Sequence, residues 1–163
     1  MKHLVLLATL AATPATAQEL VYDFSHTQAC IGQAEDWHDK LACVGTSADR
    51  CMEESAGGYS TIGMGSCLAA ELDDWDASLG EAYTTLLARL EGYDADAPDH
   101  VVLKQADMLE GMQGAWIGYR DIACDYERAK WQGGTGGGPA ALACLVEMTG
   151  EQTLKLQADL NFE

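Results

Sequence analysis

The fold is decided by residues 66–91, which read SCLAAELDDWDASLGEAYTTLLARLE. Apolar side chains recur there every three or four residues: Leu68, Leu72, Trp75, Leu79, Ala82, Leu86 and Leu90. This spacing places them on one face of a long α-helix, while Glu71, Asp74 and Glu81 fall on the other face. The stretch therefore predicts an amphipathic helix whose apolar stripe packs into a hydrophobic core.

Two further main helices are predicted after a loop at residues 92–99. The first begins near His100, with Asp99 as its cap, and ends near Trp131. Its helical spacing comes from Val102, Ala106, Leu109, Met112, Trp116, Tyr119 and Ala123. A glycine-rich connection at 133–138 follows, and Pro139 suits the first turn of the last helix. The apolar face of that helix consists of Leu142, Leu145, Thr149, Leu156 and Leu160.

The N-terminal part predicts shorter elements. Residues 28–41 read as one helix with Cys30, Ala34, Trp37 and Leu41 on a single face, and residues 48–54 as a second helix with Ser47 as N-cap. No stretch alternates with a period of two, so no sheet is predicted. We therefore expect an all-α fold: a small disulfide-bonded helical bundle of three main helices plus a short-helix N-terminal subregion.

The first 17 residues are typical of a secretory signal peptide. A basic start at Lys2 leads into the apolar run 4–12, and Pro14 precedes the small residues Ala15 and Ala17. The run is too short to span a bilayer, which takes about 20 residues. We expect cleavage after Ala17, a periplasmic or secreted protein, a single domain over residues 18–163, and no membrane insertion after cleavage.

Six cysteines, all after residue 17, indicate disulfides in an exported chain. Many pairings are open. Proximity favours Cys124–Cys144, which should flank one helix connection, and Cys30–Cys43 with Cys51–Cys67 in the crowded N-terminal part. A zinc site would favour a close C-x-x-C pair, which the sequence lacks, so we expect neither metal nor cofactor.

The charge of the chain limits its partners. It has 26 acidic and nine basic residues, and losing Lys2 with the signal peptide takes the net charge from −17 to −18. Such a surface repels nucleic acid and favours encounter with a cationic partner, although charge can also serve solubility alone. The oligomeric state stays open.

No residue pattern points to catalysis. The histidines are scattered, Ser66 lacks a G-x-S-x-G context, and oxidised cysteines leave no nucleophilic thiol. Nothing singles out a pair of carboxylates for hydrolysis among so many acids. We therefore expect a protein that is not an enzyme.

Two blocks carry a family resemblance. Residues 63–73 read GMGSCLAAELD, and residues 113–124 read QGAWIGYRDIAC, followed by glycines 133–134 and by Cys144. Over about residues 51–160 the chain resembles the bacterial exported domains similar to the lysozyme inhibitor LprI. Members with four cysteines match Cys51, Cys67, Cys124 and Cys144. This match supports a disulfide between the two remaining cysteines, Cys30 and Cys43.

The resemblance implies a function and a set of site residues. We expect an exported protein that binds and inhibits a basic lysozyme; the alternative is a cell-envelope interaction module with no lysozyme role. The motif Trp116, Tyr119, Arg120 and Asp121 is interpreted as structural. Trp116 and Tyr119 should face the core, and Arg120 should pair with Asp121, Glu71 or Asp73. Apart from the resemblance, the acidity of the predicted loop leads us to expect contacts with a cationic partner from Asp94, Asp96 and Asp99.

Overall fold

The computed structural model describes residues 20–161, which form six α-helices with no strand among them. The helices are α1 (Ser25–Gln33), α2 (Trp37–Ala42), α3 (Thr46–Glu54), α4 (Thr61–Asp96), α5 (Gln105–Ala129) and α6 (Gly137–Leu160). The long helices α4, α5 and α6 pack against one another, while α3 packs on α4 and α1 packs on α3. The predicted all-α bundle of three main helices with a short-helix N-terminal subregion is confirmed.

The core forms two clusters along α4, and the stripe read from residues 66–91 faces both. Leu68 and Trp75 belong to the cluster beneath the short helices, which also contains Val146 and Leu154 of α6. Leu79, Ala82 and Leu86 belong to the second cluster, with Leu109 of α5 and Leu156 of α6. Full burial of each large apolar side chain contributes about 1.5–3 kcal/mol, so this stripe determines where α5 and α6 pack.

Helix α4 is longer than predicted at both ends. It begins at Thr61 because the Ser60 side chain accepts a hydrogen bond from the Gly63 backbone N–H at 3.0 Å. A Cβ at Gly63 would collide with the backbone of Gly57 and Gly58, so this glycine allows close packing in the first turn of α4. At its other end α4 continues to Asp96, through most of the predicted loop 92–99.

Helix α5 begins at Gln105 and not near residue 100, so the predicted cap at Asp99 is wrong. The carboxylate that meets this N-terminus comes from α4. The backbone N–H groups of Gln105 and Ala106 donate to Asp94 Oδ1 and Oδ2 at 3.0 and 2.8 Å. The cap is therefore a tertiary contact, which a search of the residues just before the helix could not find.

The single helix predicted for residues 28–41 is two helices. Ala34 has an extended backbone, and Asp36 starts α2 by accepting the Asp39 N–H at 2.9 Å. Ser47 is not the N-cap of α3, because its buried Oγ accepts the Thr27 N–H at 3.0 Å. Gly45, with φ of 96°, stands at the cap position.

Glu71, predicted on the solvent face of α4, is fully buried. Its Oε1 accepts hydrogen bonds from the Thr27 hydroxyl, the Gly45 N–H and the Trp75 indole, and its Oε2 accepts one from the Ala48 N–H at 2.6 Å. Two of these donors belong to the first residues of α3 and its cap. The carboxylate therefore supplies, from a neighbouring helix, the acceptors that a helix N-terminus needs.

Three disulfides join neighbouring elements, and they are the three pairs named from the sequence. Cys30–Cys43 ties α1 to the residue after α2, Cys51–Cys67 ties α3 to α4, and Cys124–Cys144 ties α5 to α6. Cys43, Cys51, Cys67 and Cys124 are buried, so each of the three bridges has at least one cysteine in the packed interior.

The predicted signal peptide, residues 1–17, lies outside the described residues. Cleavage after Ala17 and the domain limits 18–163 stay predictions. From residue 20 to residue 161, no helix has the length and apolar character needed to cross a membrane.

Candidate functional site

The motif residues of α5 connect the three long helices through side-chain contacts. The Arg120 guanidinium lies over the Trp116 ring, 5.1 Å from its centroid, one helical turn further along. Its Nη1 donates to Asp76 Oδ1 of α4 and to Thr149 Oγ1 of α6, both at 3.3 Å. The arrangement holds α5 against both neighbours at one level of the bundle.

The partners of Arg120 differ in part from those predicted. Asp121 is one of them, with Oδ1 3.0 Å from Nη2. Glu71 does not pair with Arg120, because it is buried at the N-terminus of α3. Asp76 pairs with Arg120 where Asp73 was predicted to do so. Asp76 follows Asp73 by three residues, nearly one turn of α4, so the correct helix face was identified but not the residue.

Tyr119 does not face the core. Its side chain is 67% exposed, whereas Trp116 is partly buried against the second core cluster. The prediction for Tyr119 was wrong because the residues whose spacing predicted α5 lie on two different faces of the helix. The face that packs inward runs through Ala106, Leu109, Gln113, Trp116, Arg120 and Cys124. Gln113 belongs to it because its Oε1 accepts the Gln152 Nε2 at 2.9 Å, a buried pair that apolar spacing overlooks.

The acidic residues proposed for partner contact lie at the junction of α4 and α5. Asp96 and Asp99 are exposed, so both are accessible to a partner. Asp94 has a structural role as well, since its carboxylate caps α5. The backbone N–H groups of Ala106 and Gln105 hold the pKa of the Asp94 carboxyl below its ordinary value.

An apolar groove of about 500 Å³ opens beside this junction. Its floor includes Leu86 and Leu109 of the second core cluster, and its walls include Tyr93, Leu103 and Met108, whose side chains are largely exposed. The Lys104 ammonium also lines the groove and donates to the Asp94 carbonyl oxygen at 2.9 Å. The groove has the size and apolar lining to accept a large side chain or a small ligand.

A second depression, of about 440 Å³, lies between α4 and α5 over the motif. Trp116, Arg120 and Asp76 line it together with Tyr83 and Gln113. No group of three His, Cys, Asp or Glu side chains within residues 20–161 is placed to hold a metal ion. Aromatic and charged side chains therefore form the surface on this side of the bundle.

Comparison with known proteins gives a family and two relatives. An "uncharacterized 17.7 kDa protein in puhA 5′ region" of Rhodobacter capsulatus is 26% identical over 137 residues, covering 82% of this chain and 84% of that protein. An uncharacterized protein of Rhizobium meliloti (strain 1021) is 29% identical over 101 residues, covering 60% of this chain and 72% of that protein. No solved structure matches the chain. The model of the family "Lysozyme inhibitor LprI" matches residues 51–156, more than half of the sequence, and the chain therefore belongs to that family.

Proposed function

We propose that this protein is an exported inhibitor of lysozyme that acts by binding a basic muramidase and not by catalysis. The observation that carries the proposal is the match of residues 51–156 to the LprI family. The matched region spans α4 and α5 and most of α6. It therefore contains the contacts of Arg120 with α4 and α6, and the acidic residues Asp94, Asp96 and Asp99 at the junction of α4 and α5.

The charge of the chain supports a cationic partner. With 26 acidic against nine basic residues, the protein attracts a basic enzyme over long range and accelerates their encounter. Exposed carboxylates such as Asp96 and Asp99 supply part of this field. Because salt screens charges over about 10 Å at 0.1 M, binding should weaken as ionic strength rises.

The disulfides support action outside the cytoplasm. Three bridges in one small domain form and persist in oxidising compartments, such as the periplasm or the external medium. A lysozyme reaches its cell-wall substrate in those compartments, so inhibitor and target would meet there.

A muramidase assay tests the proposal. Purified oxidised protein without residues 1–17 is added to a panel of lysozymes acting on cell walls, at low and at moderate salt. We expect inhibition that weakens at the higher salt. An unrelated acidic protein of similar net charge serves as control for unspecific capture of the enzyme. Full activity of every lysozyme at tens of micromolar protein would contradict the proposal and favour an envelope interaction module without a lysozyme role.

A further inference from the structure

A row of large apolar side chains runs along the outside of α5. Met108, Met112, Tyr119, Ile122 and Tyr126 are 53%, 37%, 67%, 72% and 64% exposed. Their spacing of four, seven, three and four residues places them on one face, here called the outer α5 face. From residue 108 to residue 126 the face is about 27 Å long at 1.5 Å per residue. A row of this length is comparable with the largest apolar patch on a typical soluble monomer, and such patches are often functional.

Two glycines lie beside this row, where nothing in the described residues requires them. A Cβ added at Gly111 or Gly118 would meet no atom within 4 Å. A glycine inside a helix costs about 0.5–1 kcal/mol relative to alanine, and no packing contact within residues 20–161 offsets that cost here. With Ala115 between them, these positions form a low ridge along which another protein can approach the α5 backbone closely.

The groove lies at the N-terminal end of the same face. Met108 and Met112 belong both to the outer α5 face and to the wall of the 500 Å³ groove, so the two surfaces are continuous. A row of flexible and aromatic side chains that leads into a pocket is typical of the centre of a protein interface, where an anchoring side chain of the partner is buried.

The charges around this face determine which partner fits it. Asp107, Asp125 and Glu127 of α5 flank the row. Cations are also present: Arg89 and Lys104 line the groove, and Lys130 lies 5.2 Å from the Tyr126 ring centroid and pairs with Glu127. The preference for a cationic partner therefore comes from the net charge of −17 of the whole chain. The acidic segment 94–99 lies between groove residues Tyr93 and Leu103 in the chain. A second copy would bring the same carboxylates and a net charge of −17 to the contact, so self-association is opposed by charge.

We propose that the outer α5 face, together with the groove at its N-terminal end, is the surface that binds a cationic protein. The identification of that protein as a lysozyme rests on the proposed function. The apolar row covers about 300 Å² if it is about 27 Å long and 10–12 Å wide. A stable interface buries about 800 Å² on each partner, so the row forms its centre and the surrounding carboxylates form the rim.

Matched substitutions test the surface. The double variant Tyr119→Ser/Ile122→Ser removes the two most exposed side chains of the row, and its control is Tyr59→Ser/Ile62→Ser, whose side chains are 66% and 77% exposed outside it. Gly118→Gln adds bulk to the low ridge, and its control is Gly32→Gln, where an added Cβ also meets nothing. We expect none of the four proteins to melt below wild type, and the two Gly→Gln variants to melt slightly higher because glutamine favours a helix more than glycine does. Only the two face variants should lose binding to egg-white lysozyme, by at least about tenfold in Kd.

Binding, inhibition and mass are measured together, so that each failure has its own meaning. Equal binding by the face and control variants overturns the surface and leaves the proposed function intact. Binding that the face variants lose, without any inhibition by the wild type, supports the surface and contradicts the function. No binding by the wild type to lysozyme or to cytochrome c, a second basic protein, overturns the surface proposal. Dimers that the face variants abolish overturn the cationic partner and identify a second copy as the occupant.

Discussion

Glu71 fastens the N-terminal helices to the bundle. Its carboxylate accepts from the Gly45 and Ala48 backbone N–H groups at the start of α3 and from the Thr27 hydroxyl in α1. It also accepts from the indole of Trp75, one turn further along α4. A buried carboxylate is costly unless donors surround it, and here four donors do. The positions of α1 and α3 therefore depend on one side chain of α4.

We predict that Glu71→Ala lowers the free energy of unfolding by about 3 kcal/mol, because it leaves buried donors without acceptors. Glu71→Gln keeps one oxygen but turns an amide N–H₂ toward one of the donors, so a loss of about 1–2 kcal/mol is expected. Urea denaturation followed by circular dichroism measures both. Glu81→Gln, an exposed change on the same helix, should stay within about 0.5 kcal/mol of wild type. A Glu71→Ala variant as stable as wild type would show that the carboxylate is not the anchor.

The stability that Asp94 contributes depends on pH. Its pKa in the folded protein lies below the ordinary value because the Ala106 and Gln105 N–H groups bind the ionised form. The stabilisation it gives is therefore present above the pKa of the unfolded chain and is lost as pH falls through the folded pKa. We predict that Asp94→Asn lowers Tm by a few degrees near pH 7, and that the difference shrinks toward about pH 3.

The measurement for Asp94 is a series of thermal melts from neutral to acidic pH. Asp96→Asn, an exposed neighbour on α4, is the control and should melt close to wild type at each pH. A difference for Asp94→Asn that stays constant down to acidic pH would contradict the role of the ionised carboxylate.

At the scale of the element, glycines in the long helices have opposite surroundings. In α6, a Cβ at Gly150 would lie 2.6 Å and 2.9 Å from the two Cγ atoms of Val44 and 3.2 Å from the Trp75 ring. This glycine lets α6 approach both α4 and the segment after α2. In α5, a Cβ at Gly111 would meet nothing. The same residue type thus allows close packing in one helix and leaves an open ridge in the other.

The substitution Gly150→Ala is expected to destabilise the protein by about 1–3 kcal/mol, because Val44 or the α6 backbone has to shift. Gly111→Ala is expected to stabilise it by about 0.5–1 kcal/mol through helix propensity alone. Chemical denaturation of the two variants beside wild type measures both signs. Equal effects would mean that the packing around Gly150 is looser than the distances indicate.

At the scale of the whole molecule, disulfides join the helices in sequence order. The bridged residues are 13, 16 and 20 positions apart, so each bridge closes one local connection. In the chain-entropy model a loop of this size contributes about 3 kcal/mol by restricting the unfolded chain. That contribution is large beside the roughly 5–15 kcal/mol of net stability common for domains.

Reduction should therefore lower the Tm strongly. Calorimetry of the protein with and without a reducing agent measures the change, with free-thiol titration to verify that the bridges have opened. The double variant Cys124→Ser/Cys144→Ser separates the bridge between α5 and α6 from the other two and should lie between the oxidised and reduced proteins. Identical melting curves for the oxidised and fully reduced protein would contradict the stabilising role of the bridges.

Much of the molecule follows from local sequence. The apolar stripe from Leu68 to Leu86 predicted the inward face of α4, and proximity together with the family resemblance favoured the cysteine pairs found in the structure. Pro139 lies in the first turn of the last helix as predicted. These features depend on spacing along one chain segment, which can be read before any tertiary contact is known.

Other features were decided only when distant segments met. Glu71 occupies a position that looks solvent-facing on a helical wheel, yet the N-terminus of α3 surrounds it with donors. Asp94 caps a helix that begins 11 residues later, and Gln113 is buried because Gln152 of another helix pairs with it. Tyr119 points outward because Gln113 and Arg120 take the inner face. The sequence by itself determined the class of fold and the family, and it favoured the three bridges without fixing them, because these are local patterns. The tertiary structure decided which polar groups are buried and which apolar face stays open, because a polar group enters the interior only where another element supplies its hydrogen-bond partner.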